Sequence, residues 1–246
     1  MKTFLYNFFH NETNDRTEKG LVNVPADKDL WPKSWTTIVY KRYLFFKEVP
    51  LPHVDGFLFK EILFKRRSSK GYISSNELML PKLSYILQCG YGLQGGSKEE
   101  HREENRTVPS GGKRYPLEIY VFLFKQVDGC TSGIYHYSVK THALEPIMFM
   151  RFSPDDIASF SSMEWLQDAN GMICITSVFG RTVNKYGSRG YRYILLEAGH
   201  TAQNMLLAGT EKSINIIPIG GVNEAVMEKM LGLNISSERV VYVLSL

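Results

Sequence analysis

The sequence predicts an α+β domain, and three of its features lead to that class. Two runs at 117–124 and 172–179 are near-continuously apolar, as strands buried on both faces are. A longer run at 191–208 places its apolar residues with a helical period. Because helix and strand signals intermix along the chain, they favour a layered structure of helices packed on a sheet.

The 246 residues divide into an N-terminal extension, 1–56, and a folded domain, 57–246. Residues 1–20 are polar and charged, which predicts a loose segment. Residues 31–52 are aromatic and apolar but interrupted by three prolines. We therefore interpret 31–52 as an arm that packs on its own domain or on a second subunit.

Two elements are predicted before the first strand. The run FLFKEILF at 57–64 fits a helix or a strand, because periodicity in a short apolar run is ambiguous. Ser75 precedes or caps a second helix, which is followed by a Gly-rich, charged loop at 94–107 of the kind that is usually functional or disordered. The apolar face and the terminating glycines of that helix are Leu83, Ile86, Leu87, Gly90 and Gly92.

The rest of the chain alternates strands with helices. Strands are predicted at 117–124, 134–138, 143–147, 172–179, 216–219 and 240–246, of which the second and third form a hairpin. Helices are predicted at 154–167, 191–208 and 225–231. The buried face of the long helix is expected to consist of Leu195, Ala198, Ala202 and Met205, with Leu196 and Leu206 beside it.

Composition excludes several classes of protein. The net charge is only +4 and basic residues form no long run, so no nucleic-acid partner is expected. Three separated cysteines, without a C-x-x-C pair or a nearby histidine at ligand spacing, argue against a disulfide framework and a metal site and fit a reducing cytoplasm. The apolar start ends too early for a signal peptide, and no stretch is long enough for a membrane span.

Two segments carry residues suited to anions. The segment RRSSKGY at 66–72 combines three cations, two hydroxyls and a glycine, which suits a phosphate but also a solvated basic turn. The segment PSGGKRYP at 109–116 predicts a tight turn whose N–H groups face a ligand, or a plain turn into the next strand. Neither G-x-G-x-x-G nor a P-loop motif occurs, so neither a dinucleotide fold nor a P-loop is indicated.

A third segment, NKYGSRGYRY at 184–193, lies just ahead of the long helix. Its adjacent Lys185 and Tyr186 are a plausible pair for proton transfer. Arg189 and Arg192 would repel Lys185 and lower its affinity for a proton. The alternative is a basic loop whose aromatic rings pack on the start of the helix.

Two further segments are rich in small residues. In EAGHTAQN at 197–204 the small side chains permit close helix packing, and His200 is expected to be structural. In IPIGG at 217–221 the glycines end a strand and can approach a ligand.

Taken in order, these segments resemble the nitroreductase superfamily. The segment at 66–72 is similar to the family's R-x-S-x-[RK]-x-[FY] segment, which holds FMN, and PSGG at 109–112 to the P-S-x-G segment that reaches the flavin of the other subunit. Residues 198–208 resemble the family's dimer-core helix, and 218–221 its flavin-proximal C-terminal loop.

The resemblance narrows to the SagB-type branch, the azoline dehydrogenases, which includes the dehydrogenase of microcin B17 synthesis and the cyanobactin oxidases. It covers about residues 57–246. The segments that carry it are PSGGKRYPLEIY at 109–120, GIYHY at 133–137, ALEPI at 143–147, KYGSRGYRY at 185–193 and LEAGH at 196–200.

This resemblance implies an intertwined homodimer with an antiparallel-rich central sheet, flanking helices and two FMN sites at the interface. Lys185 and Tyr186 fall on the branch's catalytic Lys-Tyr pair, and either could be the base. The residues expected near FMN are Arg66, Arg67, Ser68, Lys70, Pro109, Ser110, Gly111, Gly112, Arg189, Arg192, Gly220 and Gly221.

One departure from the family concerns the phosphate. Many nitroreductases place a Lys or Arg beside the C-terminal glycine, whereas here Gly221 is followed by Val222 and Asn223. Neutralisation of the phosphate would then rest on the arginines named above.

The implied activity is an FMN-dependent dehydrogenase that converts thiazoline or oxazoline rings of a peptide natural product to thiazoles or oxazoles, with oxygen as the final electron acceptor. The implied partners are a second copy of the chain, the azoline peptide, and a cyclodehydratase or carrier protein. The alternatives are an NAD(P)H-dependent flavin reductase and a non-catalytic scaffold of a peptide-modifying complex.

Overall fold

A computed structural model describes residues 5–13, 27–30, 32, 58–68, 78–94 and 105–246. Several predictions fall wholly or mostly outside these ranges: the arm at 31–52 except for Pro32, the helix start at Ser75, the candidate FMN ligand Lys70, the loop at 94–107 except for its two ends, and much of the segment 1–20.

The centre of the fold is a six-stranded sheet in which every neighbouring pair is antiparallel. Its strands are β1 (Leu117–Leu123), β2 (Gly133–Ser138), β3 (Ala143–Phe149), β4 (Gly171–Val178), β5 (Ile217–Ile219) and β6 (Glu238–Ser245). They are ordered β3-β2-β1-β4-β6-β5, so the two most apolar strands, β1 and β4, lie side by side in the interior. The predicted α+β class and its antiparallel sheet are confirmed.

Helices cover both faces of this sheet. They are α1 (Leu5–Thr13), α2 (Leu58–Lys65), α3 (Leu80–Tyr91), α4 (Pro154–Phe160), α5 (Gly180–Tyr186), α6 (Arg189–Glu211) and α7 (Glu224–Met230). The ambiguous run is therefore helical from Leu58 onward. Short 3-10 turns lie at Lys28–Leu30, Gly111–Lys113 and Glu164–Asp168.

The predicted helix at 154–167 is wrong in its extent. It splits into α4 and the 3-10 turn at Glu164–Asp168. Ser161 has an extended backbone, and its hydroxyl donates to the carbonyl of Gly221 at 2.6 Å. This bond draws the chain out of the helix toward the end of β5.

The two faces of the sheet carry separate apolar cores. On one face, α3 and α6 pack on the inward residues of β1 and β4, with Leu83, Ile86 and Met205 fully buried. On the other face, α4 and α7 enclose Phe122 and Phe160. The alternation of side chains along each strand supplies both cores, which is why β1 and β4 are apolar throughout.

The predicted buried face of α6 is partly wrong. Ala198, Ala202 and Met205 are buried as expected, but Leu195 and Leu196 are 37% and 53% exposed. The buried stripe runs instead through Tyr191, Ile194 and Ala198, which are three to four residues apart and share one face of the helix, and Leu195 and Leu196 lie outside it.

The N-terminus is more ordered than its composition predicts. Within α1, His10 is buried and its Nδ1 lies 2.9 Å from the hydroxyl of Tyr191. The rings of Tyr6 and Phe9 also pack against Tyr191, and that of Tyr6 against Phe179. Aromatic contacts of this kind stabilise beyond their buried area, which offsets the polar sequence.

No helix in the described ranges combines the length and the apolar character that crossing a bilayer requires. Across those same ranges, no three side chains among His, Cys, Asp and Glu are grouped to hold a metal ion.

Gly171 sets the close approach of β4 to β1, where it pairs with Leu123. A Cβ there would overlap the carbonyl oxygen of Phe122. We expect Gly171→Ala to lower the free energy of unfolding by about 1–3 kcal/mol, as overpacking does. Denaturant unfolding measures this change.

Gly180→Ala is the matched control, since a Cβ there meets only the Asn184 side chain, at 3.5 Å. Its effect should stay within about 0.5 kcal/mol. Equal stability of Gly171→Ala and wild type would contradict the packing of β1 on β4 described above.

Candidate active site

The turn that leads into β1 has an unusual backbone. Gly112 adopts φ +62°, and the non-glycine residues Lys113 and Tyr115 adopt φ +53° and +44°. Non-glycine residues in this region are uncommon and persist only where their surroundings hold them. The turn is therefore fixed by contacts made elsewhere in the fold.

Lys185 and Tyr186 meet this turn at Gly112. A Cβ on Gly112 would overlap the Tyr186 hydroxyl and lie 3.0 Å from Nζ of Lys185. Only glycine lets both polar groups come so close to the backbone. The structure thus brings together two segments, 109–116 and 184–193, that the sequence separates widely.

The corner between α5 and α6 fixes this pair. Gly187, with φ +59°, ends α5 and donates its N–H to the carbonyl of Val183 at 2.8 Å. Gly190 lets α6 pack tightly on α5, since a Cβ there would lie 3.0 Å from Cα of Val183. The ring of Tyr193 then packs edge-on against Tyr186 at 5.2 Å, which orients its hydroxyl.

Two arginines tie α5 to the turn and to β1. Arg114 Nε donates to the carbonyl of Arg181 at 2.8 Å, and Arg181 Nη1 donates to the carbonyl of Tyr115 at 3.2 Å. Arg181 also pairs with Glu118 of β1 at 2.5 Å. Each bond joins the element carrying Lys185 to the strand that follows Gly112.

Glu118 belongs to a chain of charges across β1, β2 and β3. Its other oxygen lies 3.0 Å from Nε2 of His136, whose Nδ1 lies 2.8 Å from Glu145. Burial opposes ionisation of Glu118, but the bonds to His136 and Arg181 outweigh it and lower its pKa. The bond to Glu118 in turn raises the pKa of His136. Burial of the ring lowers this pKa, but the bond to Glu145 also raises it.

A buried polar cluster lies beneath the turn. Tyr91 donates its hydroxyl to Glu197 of α6 at 2.9 Å, and Ser110 accepts the N–H of Tyr115 at 2.9 Å. Glu197 is only 3% exposed. Its burial raises its pKa, against the effect of its hydrogen bonds to Ser110 and Tyr91.

Arg106 completes this cluster. Its guanidinium lies 4.3 Å from the ring centroid of Tyr91 and 4.8 Å from that of Tyr115. Such cation–π contacts are strongest where water is excluded. Nη1 of Arg106 is buried and donates no hydrogen bond to a partner within the described ranges.

Arg66 and Ser68 lie together at the end of α2. Arg66 Nη1 donates to the Ser68 hydroxyl at 3.3 Å, and Ser68 is exposed. Arg67 is used differently, because its guanidinium donates to the carbonyl of Phe64 at 2.6 Å and so caps α2. Among the described residues of this segment, Arg66 and Ser68 therefore remain candidates for binding an anion.

The remaining predicted ligands lie on three different segments of the chain. Gly220 and Gly221 follow β5, while Arg189 and Arg192 are exposed on the first turn of α6. Pro109 is exposed immediately before the turn.

Sequence reasoning missed the residues that hold the site. Glu197 carried a signal, since it is a carboxylate on the core face of α6 between Ile194 and Ala198. The others are spread over the chain and carry no local signal: Tyr91, Arg106, Glu118, His136 and Arg181.

The Glu118–His136 pair predicts a pH dependence of stability. The pKa of His136 is raised in the folded protein, so protonated His136 stabilises the fold. This contribution is complete below the pKa of the unfolded chain, about 6.5, and is lost as pH rises through the pKa of the folded protein. The lowered pKa of Glu118 acts in the opposite direction, so its stabilisation is lost only as pH falls through its folded value. Denaturant unfolding at about pH 5.5 and 8.5 should show His136→Asn destabilised more at the lower pH.

His200→Asn, which replaces an exposed histidine of α6, serves as the control and should follow the wild-type profile. A His136→Asn penalty that is the same at both pH values would show that this pair is not a charged link.

Comparison with known proteins bears directly on this site. Residues 63–246 match the sequence pattern of the nitroreductase family. The chain is 32% identical to the putative nitroreductase MJ1384 of Methanocaldococcus jannaschii over 184 residues, which are 75% of this chain and 89% of the relative.

Two comparisons concern microcin B17. The chain is 24% identical over 213 residues to the microcin B17-processing protein McbC of Escherichia coli, covering 77% of this chain and 76% of McbC. Its structure matches a chain of the E. coli microcin synthetase McbBCD complex with truncated pro-MccB17 bound, with a TM-score of 0.73 and 20% identity over 97% of this chain and 90% of that one. The chain belongs to the nitroreductase family, and the predicted SagB-type branch is confirmed.

Proposed function

We propose that this chain is an FMN-dependent dehydrogenase that oxidises thiazoline or oxazoline rings in a peptide natural product. The observation that carries the proposal is the convergence of Lys185 and Tyr186 on Gly112, within the segment that resembles the family's flavin-contacting turn. The similarity to a microcin B17-processing protein supports a peptide substrate.

The residues present fit FMN, the flavin that the family resemblance implies. The absent Cβ at Gly112 lets the Tyr186 hydroxyl and Nζ of Lys185 lie against the backbone of the turn, so that these groups offer hydrogen-bond donors at one point to the polar atoms of a flavin ring. Arg66 with Ser68 offers a cation and a hydroxyl for the phosphate. When bound, FMN supplies a two-electron acceptor that protein side chains lack.

Exposed apolar residues support a homodimer. On the eight-residue helix α2, Leu58 and Phe64 are 73% and 69% exposed, and Phe59 and Leu63 are exposed as well. Leu195 and Leu196 of α6 are also exposed. Large apolar patches of this kind mark interaction surfaces. In the proposed dimer this surface is covered, and Arg66 of one chain approaches the Gly112 turn of the other.

The proposed reaction removes a proton from Cα of the azoline ring and a hydride equivalent from Cβ, which leaves an aromatic ring. Lys185 and Tyr186 present one nitrogen and one oxygen at the same point of the turn. One of them takes the proton, and the other stabilises the negative charge that develops on the ring. Molecular oxygen serves as the final electron acceptor.

Substitution of the pair tests this assignment. We expect Lys185→Ala and Tyr186→Phe to retain FMN but to form azole at least about 100-fold more slowly, the size of effect typical for a positioned acid or base. The readout is the mass loss of two hydrogens from a synthetic thiazoline peptide under air, with flavin content followed by absorbance.

Asn184→Ala provides a matched control, because Asn184 is the exposed preceding residue of α5. It should react at the wild-type rate. Wild-type rates in both Lys185→Ala and Tyr186→Phe would remove the pair from the mechanism.

A flavin reductase is the second candidate, favoured by the similarity to a putative nitroreductase. Rapid anaerobic bleaching of the flavin by NADPH, without azole formation, would support that function. Bleaching by the thiazoline peptide and not by NADPH would support the dehydrogenase.

A further inference from the structure

A cavity of about 290 Å³ lies between α3 and the β2–β3 hairpin. Its wall on α3 is formed by Leu80, Leu83 and Leu87, which recur every three to four residues and so share one helix face. Leu144 of β3 and Cys130, ahead of β2, line the opposite side. None of these residues belongs to the Gly112 turn or to the polar groups around it.

Three polar side chains meet at the edge of this cavity, where His142 is exposed and Tyr137 is buried. Ser84 Oγ lies 2.8 Å from Nε2 of His142, and Tyr137 Oη lies 2.8 Å from its Nδ1. His142 adopts φ +48°, a backbone conformation that is uncommon for a non-glycine residue. The hairpin thus places the imidazole between the two hydroxyls at some cost in backbone energy.

The hydrogen-bonded groups Ser84, His142 and Tyr137 have one more donor hydrogen than their two mutual hydrogen bonds use. Neutral His142 carries one N–H, and Ser84 and Tyr137 carry one O–H each, which makes three donors for two hydrogen bonds. Depending on the tautomer, the spare O–H belongs to Tyr137 or to Ser84. Burial raises the pKa of Tyr137 to about 12, so its hydroxyl keeps its proton at neutral pH.

The lining favours an uncharged ligand. No Lys, Arg, Asp or Glu is found among the lining residues of the described chain, so a carboxylate in the cavity would lack a counter-ion. The nearby carboxylate of Asp128 already accepts the N–H of Leu80 at 3.0 Å. Burial and nearby Asp128 raise the pKa of the Cys130 thiol, which is then a neutral wall and no nucleophile.

The volume limits the size of the ligand. Small-molecule pockets span about 300–1,000 Å³, and this cavity lies at the lower end. It suits one branched aliphatic or aromatic group.

We infer that this cavity binds an uncharged ligand in which one branched aliphatic or aromatic group stands beside a carbonyl oxygen. The leucine side chains enclose the apolar group, and the spare hydroxyl hydrogen of the Ser84–His142–Tyr137 chain is donated to the carbonyl. A free amide and an apolar residue within a peptide share this chemistry. The inference requires neither the flavin nor the azoline reaction.

Titration of the full chain with small amides, followed by NMR of the backbone amides, tests it. Isovaleramide and phenylacetamide should give saturable shifts at residues that line the cavity. Acetamide lacks the apolar group, and isovalerate replaces the neutral amide with a carboxylate. Both should bind at least about tenfold more weakly, since either change removes more than about 1.4 kcal/mol.

Variants of the cavity walls supply the second arm. Ser84→Leu on α3 and Ala143→Phe on β3 each fill the cavity from a different side, so one remains informative if the other does not fold. Each variant should lower the affinity for isovaleramide at least about tenfold. Lys140→Ala, which changes an exposed residue of the same hairpin, should leave that affinity unchanged.

A capped Ala-Ala-Leu-Ala-Ala peptide distinguishes the two sources of ligand. If the peptide binds at least about tenfold more tightly than isovaleramide, the ligand is a residue within a peptide. If the two bind equally, the ligand is a free small molecule. Absence of saturable shifts, equal binding of acetamide, or unchanged binding in both folded wall variants would overturn the inference.

Discussion

The close approach of the Lys185 and Tyr186 side chains to the backbone of Gly112 is the contact on which the candidate site depends. It requires a left-handed residue without a Cβ at position 112 and a helix that ends directly after Tyr186. The first condition is met by a Gly-Gly turn, and the second by the left-handed Gly187. The site is therefore a meeting of two strained turns, and each is held by parts of the fold that take no part in chemistry.

The support for these turns is largely polar and buried. Beneath the Gly112 turn, Glu197, Tyr91 and Ser110 satisfy one another, and Arg106 lies between two aromatic rings. A buried hydrogen-bonding group left without its partner costs about 1–3 kcal/mol, so this cluster is stable only when complete. Beside the turn, Arg181 of α5 bonds to the carbonyl of Tyr115 and to Glu118 of β1, and so fixes α5 against the strand. Polar networks of this kind specify one arrangement more sharply than apolar packing does.

Much of the fold could be predicted because its signals are local. The apolar runs of β1 and β4 and the helical period of α6 identify buried elements without knowledge of their neighbours. The direction that α6 faces could not be predicted, because Ile194, Leu195 and Leu196 are equally apolar and only tertiary contacts select Ile194. The break after α4 depends on a bond from Ser161 to Gly221, which no local pattern contains.

The candidate site divides in the same way. The order of the family motifs predicts the turn at Gly112 and the Lys185–Tyr186 pair as parts of the site, whereas physical reasoning alone leaves both open to a structural interpretation. The supporting residues Arg106, Tyr91 and Glu197 come together only in three dimensions. Arg67 donates to the carbonyl of Phe64 at the end of α2, and this difference from Arg66 cannot be read from a list of cations.

The decisive measurement is a crystal structure of the protein grown with FMN. We expect an isoalloxazine ring beside Gly112, Lys185 and Tyr186 of one chain, with its phosphate at Arg66 and Ser68 of a second chain. A flavin bound within a single chain, or in a place remote from Gly112, would contradict it.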